Sequence, residues 1–152
     1  MINENLKLSG QLSIVLKDKA GNIKDQREVK NLVVNAGLAY IASRMTGTAK
    51  SVMSHMALGS GTTAAAAGQT DLASILGSRE ALDSTTISGS NNEKVVYVSG
   101  FEAGDATGAV TEAGIFNASS SGDMLCRTTF SVVNKAADDT MSVTWTITLS
   151  AS

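Results

Sequence analysis

The stretch Ala109–Leu149, AVTEAGIFNASSSGDMLCRTTFSVVNKAADDTMSVTWTITL, decides the fold of this 152-residue chain. Three runs suited to β-strands are separated by polar turns, Ala118–Gly122 and Asn134–Asp139. In the last run Val143, Trp145, Ile147 and Leu149 alternate with Ser142, Thr144, Thr146, Thr148 and Ser150. A period of two sends one set to one face of a sheet and the other set to the opposite face. The apolar set predicts a core face, with Trp145 as its largest anchor.

Working outward, Leu6–Lys17 alternates through Leu6, Leu8, Leu12, Ile14 and Leu16, with Gly10 expected as a bulge. Asp18–Asn22 reads as a turn, and Ile23–Lys30 as a returning strand whose polar character predicts an exposed edge or a sheet with one wet face. Asn35 is the expected N-cap of a helix carrying Leu38, Ile41, Ala42 and Met45 on one stripe and ending near Thr46–Gly47. A short apolar strand, Val52–Leu58, precedes a glycine-bracketed segment, Gly59–Thr70, read as a mobile surface loop. Thr70 is expected to cap a second short helix, Asp71–Leu76. Arg79–Ile87 reads as a Thr-rich strand. Glu93–Phe101 is a stronger one, with Val95, Tyr97 and Ser99 on one face and Val96 and Val98 on the other. About eight strands with regular turn spacing, and no strand–helix alternation, predict a mainly β chain. The expected architecture is an antiparallel β-sandwich of jelly-roll type with one or two short helices. It forms one domain over residues 1–152, with residues 1–6 as an N-terminal arm.

Composition narrows the function classes. Charged residues are 17 % of the chain, below the usual quarter, and Gly, Ala, Ser and Thr fill the gap. The formal net charge is −2, with twelve basic residues scattered among fourteen acidic ones. A nucleic-acid surface needs clustered Lys and Arg, so no nucleic-acid partner is expected. The basic residues of Lys17–Lys30 are interrupted by Asp18, Asp25 and Glu28 and read as a solvated hairpin. No run approaches the ~20 apolar residues needed to cross a bilayer, and the start MINENLKLSG lacks a signal-peptide core. The expectation is a soluble protein made in a cytoplasm, with no membrane partner.

No constellation for catalysis emerges. Cys126 is the single cysteine and reads as a small core residue; a nucleophile would need His55, the single histidine, beside it. His55 itself reads as a hydrogen-bonded core or interface residue, since one histidine without nearby cysteines makes no ordinary zinc site. Gly59-Ser60-Gly61-Thr62-Thr63 lacks the lysine that a phosphate loop requires. The pairs Asp138/Asp139 and Glu102/Asp105 lack the ligand spacing of Ca²⁺ loops and read as solvated turns. Met45, Met53, Met56, Met124 and Met141 read as gap-fillers in apolar patterns. No enzyme activity, cofactor or metal is expected.

Several phrases carry a resemblance to bacteriophage virion proteins. They are Asn31-Leu32-Val33-Val34-Asn35-Ala36-Gly37, Ala57-Leu58-Gly59-Ser60-Gly61-Thr62-Thr63, Thr70-Asp71-Leu72, Val110-Thr111-Glu112-Ala113-Gly114-Ile115-Phe116-Asn117, Met124-Leu125-Cys126-Arg127-Thr128-Thr129-Phe130 and Val143-Thr144-Trp145-Thr146-Ile147-Thr148-Leu149. Together they resemble the β-domain of capsid decoration (cement) proteins and of tail-fibre, tail-tip or tail-adaptor subunits. The resemblance implies a virion structural protein without catalysis, as a homodimer or homotrimer. The absence of a coiled-coil or repetitive shaft tilts the expectation toward the head, with the major capsid protein as partner. A carbohydrate- or receptor-binding β-domain is a further alternative. Segments outside the apolar pattern give the expected contact residues: Ile2 and Leu6 of the arm, Lys19, Gly21 and Asn22 of the first turn, and Gly59, Gly61, Thr62 and Gln69 of the glycine-bracketed loop.

Overall fold

The computed structural model describes residues 4–151. Its strands are β1 (Leu6–Lys17), β2 (Ile23–Lys30), β3 (Leu32–Val33), β4 (His55–Gly59), β5 (Glu80–Ala81), β6 (Ser84–Ser88), β7 (Lys94–Phe101), β8 (Gly108–Phe116), β9 (Met124–Lys135) and β10 (Thr140–Ala151). One helix, α1 (Asn35–Ser43), lies between β3 and β4. The strands form two five-stranded antiparallel sheets, ordered β2-β1-β10-β7-β6 and β3-β9-β8-β4-β5. The expected sandwich is therefore present. The order does not establish a jelly-roll winding: β1–β2, β6–β7 and β8–β9 are hairpins that keep consecutive strands in one sheet.

The period-two pattern of β10 determines the interior. Met141, Val143, Trp145 and Ile147 are buried, while Leu149 is half-buried near the strand end. Leu12, Ile14 and Leu16 of β1 stand opposite Trp145, Val143 and Met141. Tyr97 and Phe101 of β7 stand opposite Trp145 and Met141. From the second sheet Met56, Leu58, Val110, Ala113, Ile115 and Val133 close the same core. Each large apolar side chain so enclosed stabilises the fold by about 1.5–3 kcal/mol relative to exposure. The Trp145 indole N–H donates to Asn31 Oδ1 at 2.8 Å, which satisfies the ring's one polar group. Gly10 pairs regularly with Ile147 and is not a bulge; the Asn31 side chain occupies the space its Cβ would take.

The helix begins differently from the expectation. Val34 is the extended N-cap, and no side chain caps the first turn. The Asn35 N–H donates instead to the Ala67 carbonyl at 2.8 Å. The buried face is Gly37 and Tyr40, with Ile41 packed on the core, whereas Leu38 and Met45 are 50 % and 86 % exposed. The cause is a backbone contact: a Cβ at Gly37 would overlap the Leu125 carbonyl, so the helix lies down on its glycine side. Met45 is accordingly no gap-filler.

The second helix, expected over Asp71–Leu76, does not form. Leu76 donates its N–H to the Leu58 carbonyl at 2.9 Å, and Ile75 bridges Gly59. Six residues nucleate a helix poorly, and sheet and side-chain acceptors take these N–H groups instead. The expected strand Arg79–Ile87 divides. Its first part, β5, joins one sheet, and its second, β6, joins the other.

Candidate functional site

A bulge in β8 creates the most elaborate constellation. Val110 and Ala113 both point into the main core despite odd spacing, because the register against β9 shifts between Val110 and Glu112. Glu112, Gly114 and Phe116 therefore face the other side of the sheet. There Val34, Ala57, Phe116 and Met124 form a second small core, with Ala36 and Leu72 packed against it.

Glu112 and Arg127 lie on the neighbouring strands β8 and β9, and both side chains are fully buried. Arg127 Nη2 and Nε donate to Glu112 Oε2 at 2.7 and 3.0 Å. Arg127 Nη1 donates to Gln69 Oε1 at 2.9 Å. Glu112 also accepts the backbone N–H groups of Gly61, Ala73 and Ser74 at 2.9, 3.0 and 2.7 Å. Thr111 Oγ1 donates to the Gly61 carbonyl at 2.8 Å. Gly59 and Gly61 press against the carboxylate so closely that a Cβ at either would collide with it. The segment expected to be mobile is thus tied across the sheet at both ends. Burial works to raise the Glu112 pKa. The Ala73, Ser74 and Gly61 N–H groups and the Arg127 guanidinium outweigh it and hold the carboxyl below its ordinary range. Both carboxylate oxygens and all three guanidinium nitrogens hydrogen-bond within the protein, and both side chains are fully buried, so this pair is built as a structural clamp.

A second arginine braces the adjoining turn. The Arg79 guanidinium lies 3.6 Å from the centroid of the Phe116 ring, and Nη1 donates to the Ala118 and Ser121 carbonyls at 2.9 and 2.7 Å. Asp71 completes its contacts at 3.5 Å. The serine-rich link between β8 and β9 is held by this cation together with its own ends, where the Asp123 N–H donates to Asn117 Oδ1 at 2.7 Å and the Asn117 N–H to the Asp123 carbonyl at 3.1 Å.

The expected contact residues separate into two groups. Leu6 is 72 % exposed at the start of β1, and Lys19, Gly21, Asn22 and Thr62 are exposed. Ile2 lies outside the described residues. Gly59 and Gly61 are buried beneath the loop, and Gln69 is half-buried on Arg127, so these three hold the segment instead of presenting it. Asp139 is likewise not a solvated turn residue. It is buried and accepts from Lys24 Nζ at 2.6 Å and from the Ala136 N–H at 2.8 Å. Lys135, also buried, donates to the Glu102 carbonyl at 2.8 Å.

The sequence signal for Glu112 and Arg127 was available. Each is the one charged residue in an otherwise uncharged strand run, VTEAGIF and MLCRTTF, and charged groups are seldom fully buried unless paired. Their pairing across strands, and the loop's part in it, had no sequence signal.

The other reactive groups are similarly engaged or enclosed. His55 is half-buried, with Nδ1 2.8 Å from Ser54 Oγ. Cys126 is buried, and burial pushes its thiol pKa well up. We expect a water-soluble thiol reagent to leave Cys126 unmodified in the native protein and to label it once denaturant unfolds the chain. Rapid native labelling would show that β9 opens locally. Among the described residues no group of three or more His, Cys, Asp or Glu is placed to hold a metal ion, and no helix is long and apolar enough to cross a membrane. The outer face of the first sheet forms an open trough of about 620 Å³ lined by residues such as Ser9, Gln11, Thr146 and Thr148, with Lys7, Lys30 and Lys94 around it. Comparison of the chain with protein families, with curated proteins and with solved structures finds no match.

Proposed function

We propose that this chain is a bacteriophage virion structural protein, a capsid decoration (cement) protein that binds the major capsid protein on the outer shell and stabilises it. One observation carries the reading. Phrases of the chain that resemble virion proteins, far apart in sequence, meet at one clamp: Gly59 and Gly61 from one, Glu112 from another, Arg127 from a third. Leu125, from the same phrase as Arg127, supports Val34 and Gly37 from a fourth. The shared phrases therefore encode rigidity of a β-module, which suits a part of an assembly and has no use for an exposed reactive group.

Two further observations favour assembly over ligand capture. Phe101, Phe116 and Trp145 are fully buried, Tyr40 and Tyr97 are buried, and Phe130 is half-buried, so no aromatic platform faces the trough for a sugar ring to stack on. The exposed turn Lys19–Asn22 is rigid: the Asp18 carboxylate accepts the Ala20 and Asn22 N–H groups at 2.9 Å each. A pre-ordered turn loses little entropy when it docks.

A cement protein acts as a ligand of the mature shell and stabilises it by mass action. In purified virions of the phage that encodes this chain, its copy number is expected to be comparable to that of the major capsid protein. Shells lacking it should lose integrity at lower temperature while host attachment is retained. Rebinding to depleted shells should survive moderate salt, since only exposed ion pairs are strongly screened. A copy number of a few dozen or fewer, with label confined to the tail, would transfer the protein to the tail-fibre class. Absence from the particle would end the virion reading.

A further inference from the structure

A sheet edge displays unpaired N–H and C=O groups that can capture another strand, and proteins blunt such edges by shortness, charge or proline. Four strands are outermost in this sandwich, and three of them are blunted; of the lengths that β2 and β3 leave uncovered, the start of β1 carries Lys7, and on β9 Arg27 occupies the Ser131 and Val132 carbonyls. Edges β3 and β5 have two residues each. Edge β2 carries Lys24, Asp25, Arg27, Glu28 and Lys30 over eight residues. The fourth edge, β6, is different. Its five residues, Ser84-Thr85-Thr86-Ile87-Ser88, hold no charge and no proline, and all are exposed. It pairs only with β7, and among the described residues no other hydrogen bond reaches these five. Ile87 points to the core side of its sheet, opposite Val95, yet remains 58 % exposed.

We propose that β6 is a homodimerisation edge, occupied by β6 of a second copy in antiparallel register about a two-fold axis at Thr86. Isologous pairing requires the strand to complement itself, and this sequence does so. With the axis at Thr86, Ser84 faces Ser88, Thr85 faces Ile87, and Thr86 faces its own counterpart; the flanking Asp83 faces Gly89. No charge opposes a like charge. Thr and Ile suit a paired strand, and cross-strand packing against Thr85 covers part of exposed Ile87. The same operation on β2 about its midpoint would set Asp25 against Glu28, which disfavours that edge. The pairing fuses the first sheets of two copies into one continuous sheet and leaves the clamp around Glu112 untouched. It concerns the chain by itself and does not rest on the virion reading.

The test is sedimentation of the purified full chain over a range of concentrations, beside Thr86→Lys and Thr86→Glu. Thr86 is exposed on an outer strand, and near-ultraviolet circular dichroism identical to the parent confirms that each variant is folded. The parent is expected to dimerise. Each variant alone should remain monomeric across the same range, because the axis places like charges face to face. Mixing the two variants should restore a dimer containing one of each. A parent that stays monomeric, an assembly of another order, or a dimer that persists in Thr86→Lys overturns the inference. So does failure of the mixture to recover.

Discussion

Replacing Glu112 with Gln is expected to destabilise the fold by about 3–5 kcal/mol, the range for removing one member of a buried ion pair. The mutant amide keeps the shape of the carboxyl group. It leaves the Arg127 guanidinium buried without a counter-charge and turns an N–H₂ donor toward groups that are all donors. For a chain of this size each kcal/mol lowers Tm by roughly 2–4 °C. Arg127→Met should cost less, because Glu112 retains the Gly61, Ala73 and Ser74 N–H groups. Urea unfolding of both variants and of the double mutant gives the coupling. A loss below about 1 kcal/mol in Glu112→Gln would mean that water enters the clamp.

The same carboxylate sets an acid limit. Its pKa is lower in the fold than the ordinary value of about 4.3 for an unfolded glutamate. Its ionised form is therefore favoured by folding. That contribution is complete above the unfolded pKa and disappears as pH falls through the folded one. Asp139, lowered chiefly by its hydrogen bond from Lys24, acts in the same sense. Stability should fall on acidification below about pH 4–5, and more shallowly in Glu112→Gln than in the parent. Equal slopes would assign the acid transition to other groups.

Trp145→Ala is the second large effect, with an expected cost of about 3–5 kcal/mol. The ring is fully buried between Leu12 of β1 and Tyr97 of β7. Its removal leaves a cavity that two sheets cannot both collapse into, and leaves Asn31 Oδ1 without its donor. Among the described residues Asn31 Nδ2 has no hydrogen-bond partner, so the mutation adds to a polar deficit. Trp145→Phe retains most of the volume and isolates the hydrogen bond, at about 1–3 kcal/mol. An unchanged denaturation midpoint for Trp145→Ala would contradict the burial that β10's alternation predicts.

Local pattern was enough wherever one strand faces one core and one solvent layer. The alternation Val143-Trp145-Ile147 located the interior of the first sheet. The extents of β1 and β2 also follow from the sequence, because a compact turn with positive-φ Gly21 separates two periodic runs. The polar character of Ile23–Lys30 left an edge or a sheet with one wet face, and β2 is an edge. Those signals are short-range: side-chain period, turn chemistry and charge act within a few residues.

What the tertiary structure decided are the places where a distant backbone or charge outweighs local preference. Gly37 meets the Leu125 carbonyl and rotates the helix away from its own apolar stripe. Glu112 takes the Ser74 N–H and the Leu58 carbonyl takes the Leu76 N–H, two groups that a helix at Asp71–Leu76 would bond internally, and a glycine–alanine loop becomes a fixed covering layer. The sequence by itself determined an antiparallel β-sandwich built around Trp145. The pairing of Glu112 with Arg127, and with it the order of Gly59–Leu76, came only from packing. A buried charge must find its partner wherever the chain brings one, and sequence distance does not record that requirement.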